Sequence, residues 1–394
     1  MKYFKNMQNR VYHTTKIAVL LLFSCIGLFL SRHVTGFANA WSRFVYRPLS
    51  RLAALLWGWI PFSLTEFLVY GVLLYTVGTL LWTLFQAAGA LKSRQIGMAV
   101  RRLLHWLQRT VFTAALAFFL YVSLCGINYQ RDSFSQENGI VLGEYSTEEL
   151  TELCCYLAAH ISEGTAQASA EGNVGATDFP VPGETEECAG NSFTMLQRLG
   201  SEAKQAMEKL GTAYPGLSGS YPMPKCLLNS RLLSVQQLTG IYSPFTVEAN
   251  YNREIPWYDL PFTMCHELSH LRGYMQEEEA NFIAFLACIG SDNAYLRYAG
   301  YLSAWVYCGN ALAASDPTTF SQIYSSLPEE ARADLSYNNA FWDRFESPVA
   351  EAAEQVNDSY LKMNGQSRGV VSYDRVTELI LYYFCADMLP ETEK

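Results

Sequence analysis

The run Cys265-His266-Glu267-Leu268-Ser269-His270, followed closely by Glu277-Glu278-Glu279-Ala280-Asn281, holds the residue types and spacings richest in chemistry. On a helix, His266 and His270 fall one turn apart on a single face, where two imidazoles can grip one Zn²⁺. Glu267 between them then faces a metal-activated water as a general base. The chain has only six histidines, so two at this spacing around a glutamate form a specific signal. The chemistry indicated is hydrolysis: zinc lowers the pKa of a water to about 7, and Glu267 takes its proton and passes it to the leaving group.

Two histidines leave such a site incomplete, because catalytic zinc usually has three protein ligands. In HExxH enzymes of the gluzincin type, a glutamate from the next helix completes the set within an E-x-x-x-[DN] pattern. Glu277 fits as that ligand, with Asn281 supporting a histidine from behind, and Glu278 is the competitor. The remaining glutamates read as solvated charges at a helix start, where carboxylates favour the amino-terminal dipole. Gly273 also permits a metzincin reading, HExxHxxG, but its third ligand would then be Gln276, a poor replacement for imidazole. The expected metal ligands are therefore His266, His270 and Glu277, with Glu267 catalytic. Tyr251, Arg297, Tyr298 and Tyr301 are available as oxyanion donors without any one being assigned. A Val247–Asn250 strand offers an edge to an extended peptide.

Several elements must position these residues. Pro256 and Pro261 frame a helix containing Phe262–Leu271, which Gly273 ends. Upstream, Ser146-Thr147-Glu148-Glu149 has the form of a capping box, continued at helical spacing by Leu150, Leu153, Leu157 and Ile161. The stretch from Glu163 to Gly190 turns to small and polar residues and reads as an exposed insertion. An amphipathic helix over Phe193–Leu210 ends at Gly211, and Lys225–Asn252 suggests short strands in a small sheet. Helical patterns follow at Glu277–Ile289, Tyr295–Leu312, Ala340–Met363 and Tyr373–Met388. The fold expected is mainly α with a small β-sheet, an α+β zincin-like domain. Of the ten cysteines none forms CxxC, and they read mostly as buried free thiols.

Charge divides the chain. Residues 1–127 hold thirteen Lys/Arg and one acid, Glu66, whereas residues 128–394 hold fifteen Lys/Arg against thirty-six Asp/Glu. The basic apolar part has two to three transmembrane helices, at about 17–35, 64–86 and 109–127, the first of which could instead be a signal-peptide core. Lys92, Arg94, Arg101, Arg102 and Arg109 mark the segment between the later spans as cytoplasmic, which puts residues 128–394 outside. Arg32, Arg43, Arg47 and Arg51 run against that rule, in a segment whose apolar residues suggest a helix lying in the interface before Pro61. An acidic domain excludes nucleic acid as a natural partner.

Pro261-Phe262-Thr263 before the HExxH run, Arg272-Gly273, Glu277 through Phe282, Tyr298-Ala299-Gly300-Tyr301, Thr239-Gly240, Pro244-Phe245-Thr246 and Glu248-Ala249-Asn250 together resemble the bacterial membrane proteins grouped as domain of unknown function 3810. Ala299 stands where that family's pattern leads one to expect a serine. The resemblance implies a membrane-anchored zinc metallopeptidase, with a lipid bilayer and protein or peptide substrates as partners. The competing reading keeps the zinc but makes the domain an envelope sensor or binding module with little turnover.

Overall fold

The computed structural model describes residues 2–173, 192–366 and 373–388. It is mostly helical (76%), with one small mixed sheet of three strands. In chain order the helices are α1 (Lys2–His33), α2 (Phe37–Trp41), α3 (Arg47–Trp57), α4 (Leu64–Lys92), α5 (Ile96–Tyr121), α6 (Phe134–Glu137), α7 (Thr147–Asn173), α8 (Ser192–Ala213), α9 (Arg231–Ser234), α10 (Asp259–His270), α11 (Glu277–Ile289), α12 (Ala294–Ser315), α13 (Pro317–Ser326), α14 (Glu329–Asp343), α15 (Pro348–Met363) and α16 (Tyr373–Met388). The strands are β1 (Lys225–Cys226), β2 (Gly240–Ser243) and β3 (Glu248–Tyr251). Two compact units emerge. One comprises Met1–Tyr46, Ser63–Arg131 and Ser243–Thr246, the other Arg47–Phe62, Asp132–Tyr242 and Val247–Lys394.

In the first unit three stretches are long and apolar enough to cross a membrane: Thr14–His33, Leu64–Lys92 and Ile96–Gln130. Ser63 caps α4 by accepting from the Glu66 amide, and the buried Glu66 carboxylate accepts from the Tyr70 hydroxyl at 3.0 Å. The α4–α5 connection is a tight turn closed by Ala87, Ala90 and Ala99, whose small side chains let the helices approach. Arg101, Arg102 and Arg109 therefore sit on α5 itself, not in an extended linker. Beyond α5, a π-helical turn at Val122–Gly126 packs Val122 and Ile127 on Ala38. Leu73, Leu74, Leu81, Phe85 and Leu107 are exposed on the outer faces of these helices.

The second unit is built around α7 and α12. Ser146 and Glu149 form the reciprocal capping box: the Glu149 amide donates to Ser146 Oγ at 3.1 Å and the Ser146 amide to Glu149 Oε2 at 2.8 Å. Leu150, Leu153, Leu157 and Ile161 then form a fully buried stripe. A side chain at Gly164 would press on the Tyr298 backbone, and one at Gly300 would meet Cys288 Cβ at 2.6 Å, so these glycines let α12 lie close to α7 and α11. The Tyr298-Ala299-Gly300-Tyr301 element is thus a packing device. Of the expected insertion, α7 takes the first part through Asn173; residues 174–191, with Cys188, lie outside the described residues.

Three sequence expectations shift. The helix expected to stop at Gly211 runs on to Ala213. The single helix expected over Ala340–Met363 is two, because Ser347 caps a new start with Pro348 in its first turn, where the missing N–H is not needed. The Val247–Asn250 segment cannot offer an edge: the strand order is β1-β3-β2, so β3 is covered on both sides. β1 runs parallel to β3, with Lys225 opposite Asn250. Lys225 donates to Glu248 and to the Trp57 carbonyl, and Ser50 on α3 donates to the Leu271 carbonyl. These bonds fix α3 within this unit while Leu52, Leu55, Leu56 and Trp59 remain exposed.

Candidate metal centre

Apart from His266, α10 is buried from Leu260 to His270. It stops at His270, and the chain reverses through Gly273, whose φ of 86° is a left-handed conformation that glycine adopts without strain. The Gly273 amide closes the turn on the His270 carbonyl at 2.9 Å. Extended Gln276 then starts α11 at Glu277. Helix, left-handed turn and helix thus bring the two histidines against the first carboxylate of α11.

The imidazole rings stand perpendicular, 4.8 Å apart between centroids. His266 Nε2 lies 3.1 Å from Glu277 Oε2, and His270 Nε2 lies 3.9 Å from Glu277 Oε1. Each ring is held from behind: His266 Nδ1 is 2.7 Å from Asn281 Oδ1, and His270 Nδ1 is 2.6 Å from the Tyr274 carbonyl oxygen. A carbonyl only accepts, so the His270 proton sits on Nδ1 and its Nε2 lone pair faces Glu277. Asn281 was singled out from spacing; Tyr274 carried no sequence signal, because its contribution is main-chain.

Donor atoms of His266, Glu267 and His270 also lie within 4.8 Å of one another and could hold a metal ion. By proximity Glu267 thus competes with Glu277, but only Glu277 is placed between both Nε2 atoms. Glu267 is directed to the sheet, where a Cβ on Gly240 would fall 2.5 Å from its Oε1. Its Oε2 is buried with no hydrogen-bond partner among the described residues. Tyr242, two residues along β2, brings its ring to 6.0 Å from that of His270. Strand alternation puts Gly240 and Tyr242 on one face. Among the residues considered as oxyanion donors, Tyr298 donates to Asp334, Arg297 binds the Ser291 and Asp292 carbonyls, Tyr301 stacks on His160, and Tyr251 is buried in β3.

The other two glutamates are not the solvated charges expected. Glu278 accepts from Gln366 at 2.8 Å and lies 3.7 Å from Arg375 Nε. Glu279 is fully buried, accepting from the amide and hydroxyl of Ser135, with Arg375 at 3.6 Å. Helical rotation of about 100° per residue sends three adjacent carboxylates to three neighbours.

Electrostatics separate the groups. Burial disfavours charge on His266, but the hydrogen bond and charge of Glu277 outweigh it and raise the ring to about 9. Burial lowers His270 to about 4 and raises Glu267 to about 8. Glu277 is held below the usual carboxylate range, since the two imidazoles overcome the effect of burial. Asp259, at the start of α10, is pushed up to about 6 by burial against the opposing pull of His266. Behind the site, Cys265 and Cys288 sulfurs approach to 3.9 Å; all described cysteines are free thiols.

The fold and site define a mostly helical protein with apolar amino-terminal helices and an HExxH helix paired with a glutamate-bearing one. The chain belongs to the family described as protein of unknown function (DUF3810), which it matches over residues 41–381. No curated protein and no solved structure matches it.

Proposed function

We propose that the chain is a membrane-anchored, zinc-dependent metallopeptidase whose zincin-like catalytic domain faces away from the cytoplasm. The observation that carries this reading is the convergence of His266 Nε2, His270 Nε2 and the Glu277 carboxylate, with both rings fixed from behind. Two imidazole nitrogens and one carboxylate are a donor set of catalytic zinc, which keeps a fourth position open. Zinc held by these residues would supply Lewis-acid polarisation of a scissile carbonyl and acidify a water.

The chain's own residues do the rest. Burial keeps the Glu267 carboxyl protonated up to about 8, and the charge of a zinc held beside it would favour its carboxylate form, which accepts a proton from the attacking water and delivers it to the leaving amine. Its unpartnered Oε2 supports that role, because a buried lone pair without a donor is otherwise rare. Asn281 and the Tyr274 carbonyl keep the rings in the tautomer that presents Nε2. Gly240 leaves room for the Glu267 carboxylate. The apolar helices of the first unit cross the bilayer, and the basic residues at the α4–α5 turn favour the cytoplasmic side for that turn. Substrates are then proteins or peptides outside the cytoplasm and close to the membrane.

The test uses the full chain in detergent. It should carry about one zinc, which His266→Ala loses. Glu267→Gln should keep the zinc while peptide hydrolysis falls at least about a hundredfold. Zinc that survives replacement of both histidines, or undiminished turnover by Glu267→Gln, overturns the proposal. Bound zinc with no hydrolysis of any peptide would turn the reading to a zinc-binding sensor.

A further inference from the structure

Asp259 is the first residue of α10 and precedes His266 by seven positions. Seven residues bring the helix almost back to the same angle, about 20° away and about 10.5 Å along the axis. Asp259 and His266 therefore share the face that carries the candidate metal ligands. Both are partly exposed, while Leu260 through Cys265 between them are buried. Among the described residues no cation pairs with Asp259 and no donor reaches its carboxylate. Burial pushes its pKa up, and the charge of His266 pulls it down. The amino-terminal dipole of α10 favours the charge on Asp259 and partial burial opposes it, and a cation brought by a ligand would add the counterion that the described residues do not supply.

We propose that Asp259 is a specificity-determining residue that selects peptides presenting a cation, a Lys or Arg side chain or a free α-ammonium, within about three residues of the scissile bond. This rests on the metallopeptidase reading of His266, Glu267, His270 and Glu277. An extended peptide advances roughly 3.3–3.6 Å per residue, so three residues span the axial distance from His266 to Asp259. A lysine stem of four carbons, or the longer arginine, closes the gap from nearer positions. An anionic residue at the same place would face Asp259 and be rejected.

The experiment measures two quantities on the full chain loaded with zinc: cleavage by the parent, and binding of fluorescent peptides to Glu267→Gln, which cannot turn them over. Acetylated peptides carry Lys, norleucine or Glu at each of three positions on either side of a fixed bond. A norleucine peptide with a free amino terminus distinguishes an α-ammonium from a side-chain cation. At one position, or at the free terminus, the cationic peptide should exceed norleucine by at least about tenfold in kcat/KM and in affinity, with Glu weakest. Asp259→Asn should collapse that ratio, Asp259→Glu should keep it, and Asp259→Lys should turn the preference towards Glu. Cleavage indifferent to charge, or a ratio unchanged in Asp259→Asn, overturns the role of Asp259 while leaving the hydrolase intact. Charge-selective binding lost in Asp259→Asn, without cleavage by the parent, sinks the hydrolase reading and keeps the cation site. Neither binding nor cleavage removes both.

Discussion

At the scale of single residues, the start of α11 shows how neighbours of one type acquire different work. Glu277 faces two imidazoles, Glu278 faces Gln366, and Glu279 is buried against Ser135. Glu277→Ala should therefore weaken zinc far more than Glu278→Ala or Glu279→Ala in a chelator competition. Equal losses for all three would remove Glu277 as a ligand. Glu279→Ala should show itself in thermal or denaturant unfolding instead, by roughly 1–3 kcal/mol, because it strands the buried Ser135 donors. A proton and a metal also compete for His266 Nε2. The metal-free ring holds its proton up to about 9, whereas His270 has lost its own near 4. Zinc affinity should accordingly climb as pH rises from about 6 toward 9 and level off above; a flat profile would contradict the assignment.

At the scale of elements, β2 would bear on the proposed hydrolysis without supplying a ligand. Gly240→Ala puts a methyl 2.5 Å from Glu267 Oε1 and 2.9 Å from the Asn250 carbonyl oxygen, so the Glu267 carboxylate, the more yielding of the two, must move. Zinc should be retained and hydrolysis lost by about tenfold or more, measured side by side; unchanged turnover would mean that the carboxylate has slack. Much of this element level was readable in the sequence. HExxH, Gly273 and the Glu277–Asn281 spacing are local, and local periodicity marks the helix, its stop and the next face. The Gly240 contact was not readable as a site feature, because a glycine gives no sign of which side chain approaches it from across the chain. The break before Pro348 was missed when the apolar pattern on both sides was read as one helix. Amphipathic α3 was read as lying in the membrane interface; Ser50 and the Trp57 carbonyl bind within the second unit, while Leu52, Leu55, Leu56 and Trp59 stay exposed. Periodicity shows that a helix has an apolar face, not whether lipid or protein covers it.

At the scale of the whole molecule, the partition of charge predicts an orientation. Thirteen Lys/Arg against one acid in residues 1–127, with five of the bases between Lys92 and Arg109, should hold the α4–α5 turn in the cytoplasm. Reporters active only outside the cytoplasm should work when fused after Ile127 and fail when fused near Gln95. The reverse pattern would place the histidine pair inside, and its substrates with it.

The helix–turn–helix from His266 to Asn281 holds both imidazoles, the facing carboxylate and both of the groups behind the rings within a single short loop of chain. Closing so short a loop costs little conformational entropy, so its contacts belong to the class that forms early in folding. The Ser135 and Gly240 contacts instead join residues far apart in sequence and must wait for the chain to collapse. A metal ion could thus clasp the hairpin in a chain that is otherwise unfolded, and bound metal would testify to the hairpin alone. Arrival of Gly240 beside Glu267 would mark the later moment when a binding hairpin becomes part of an assembled domain.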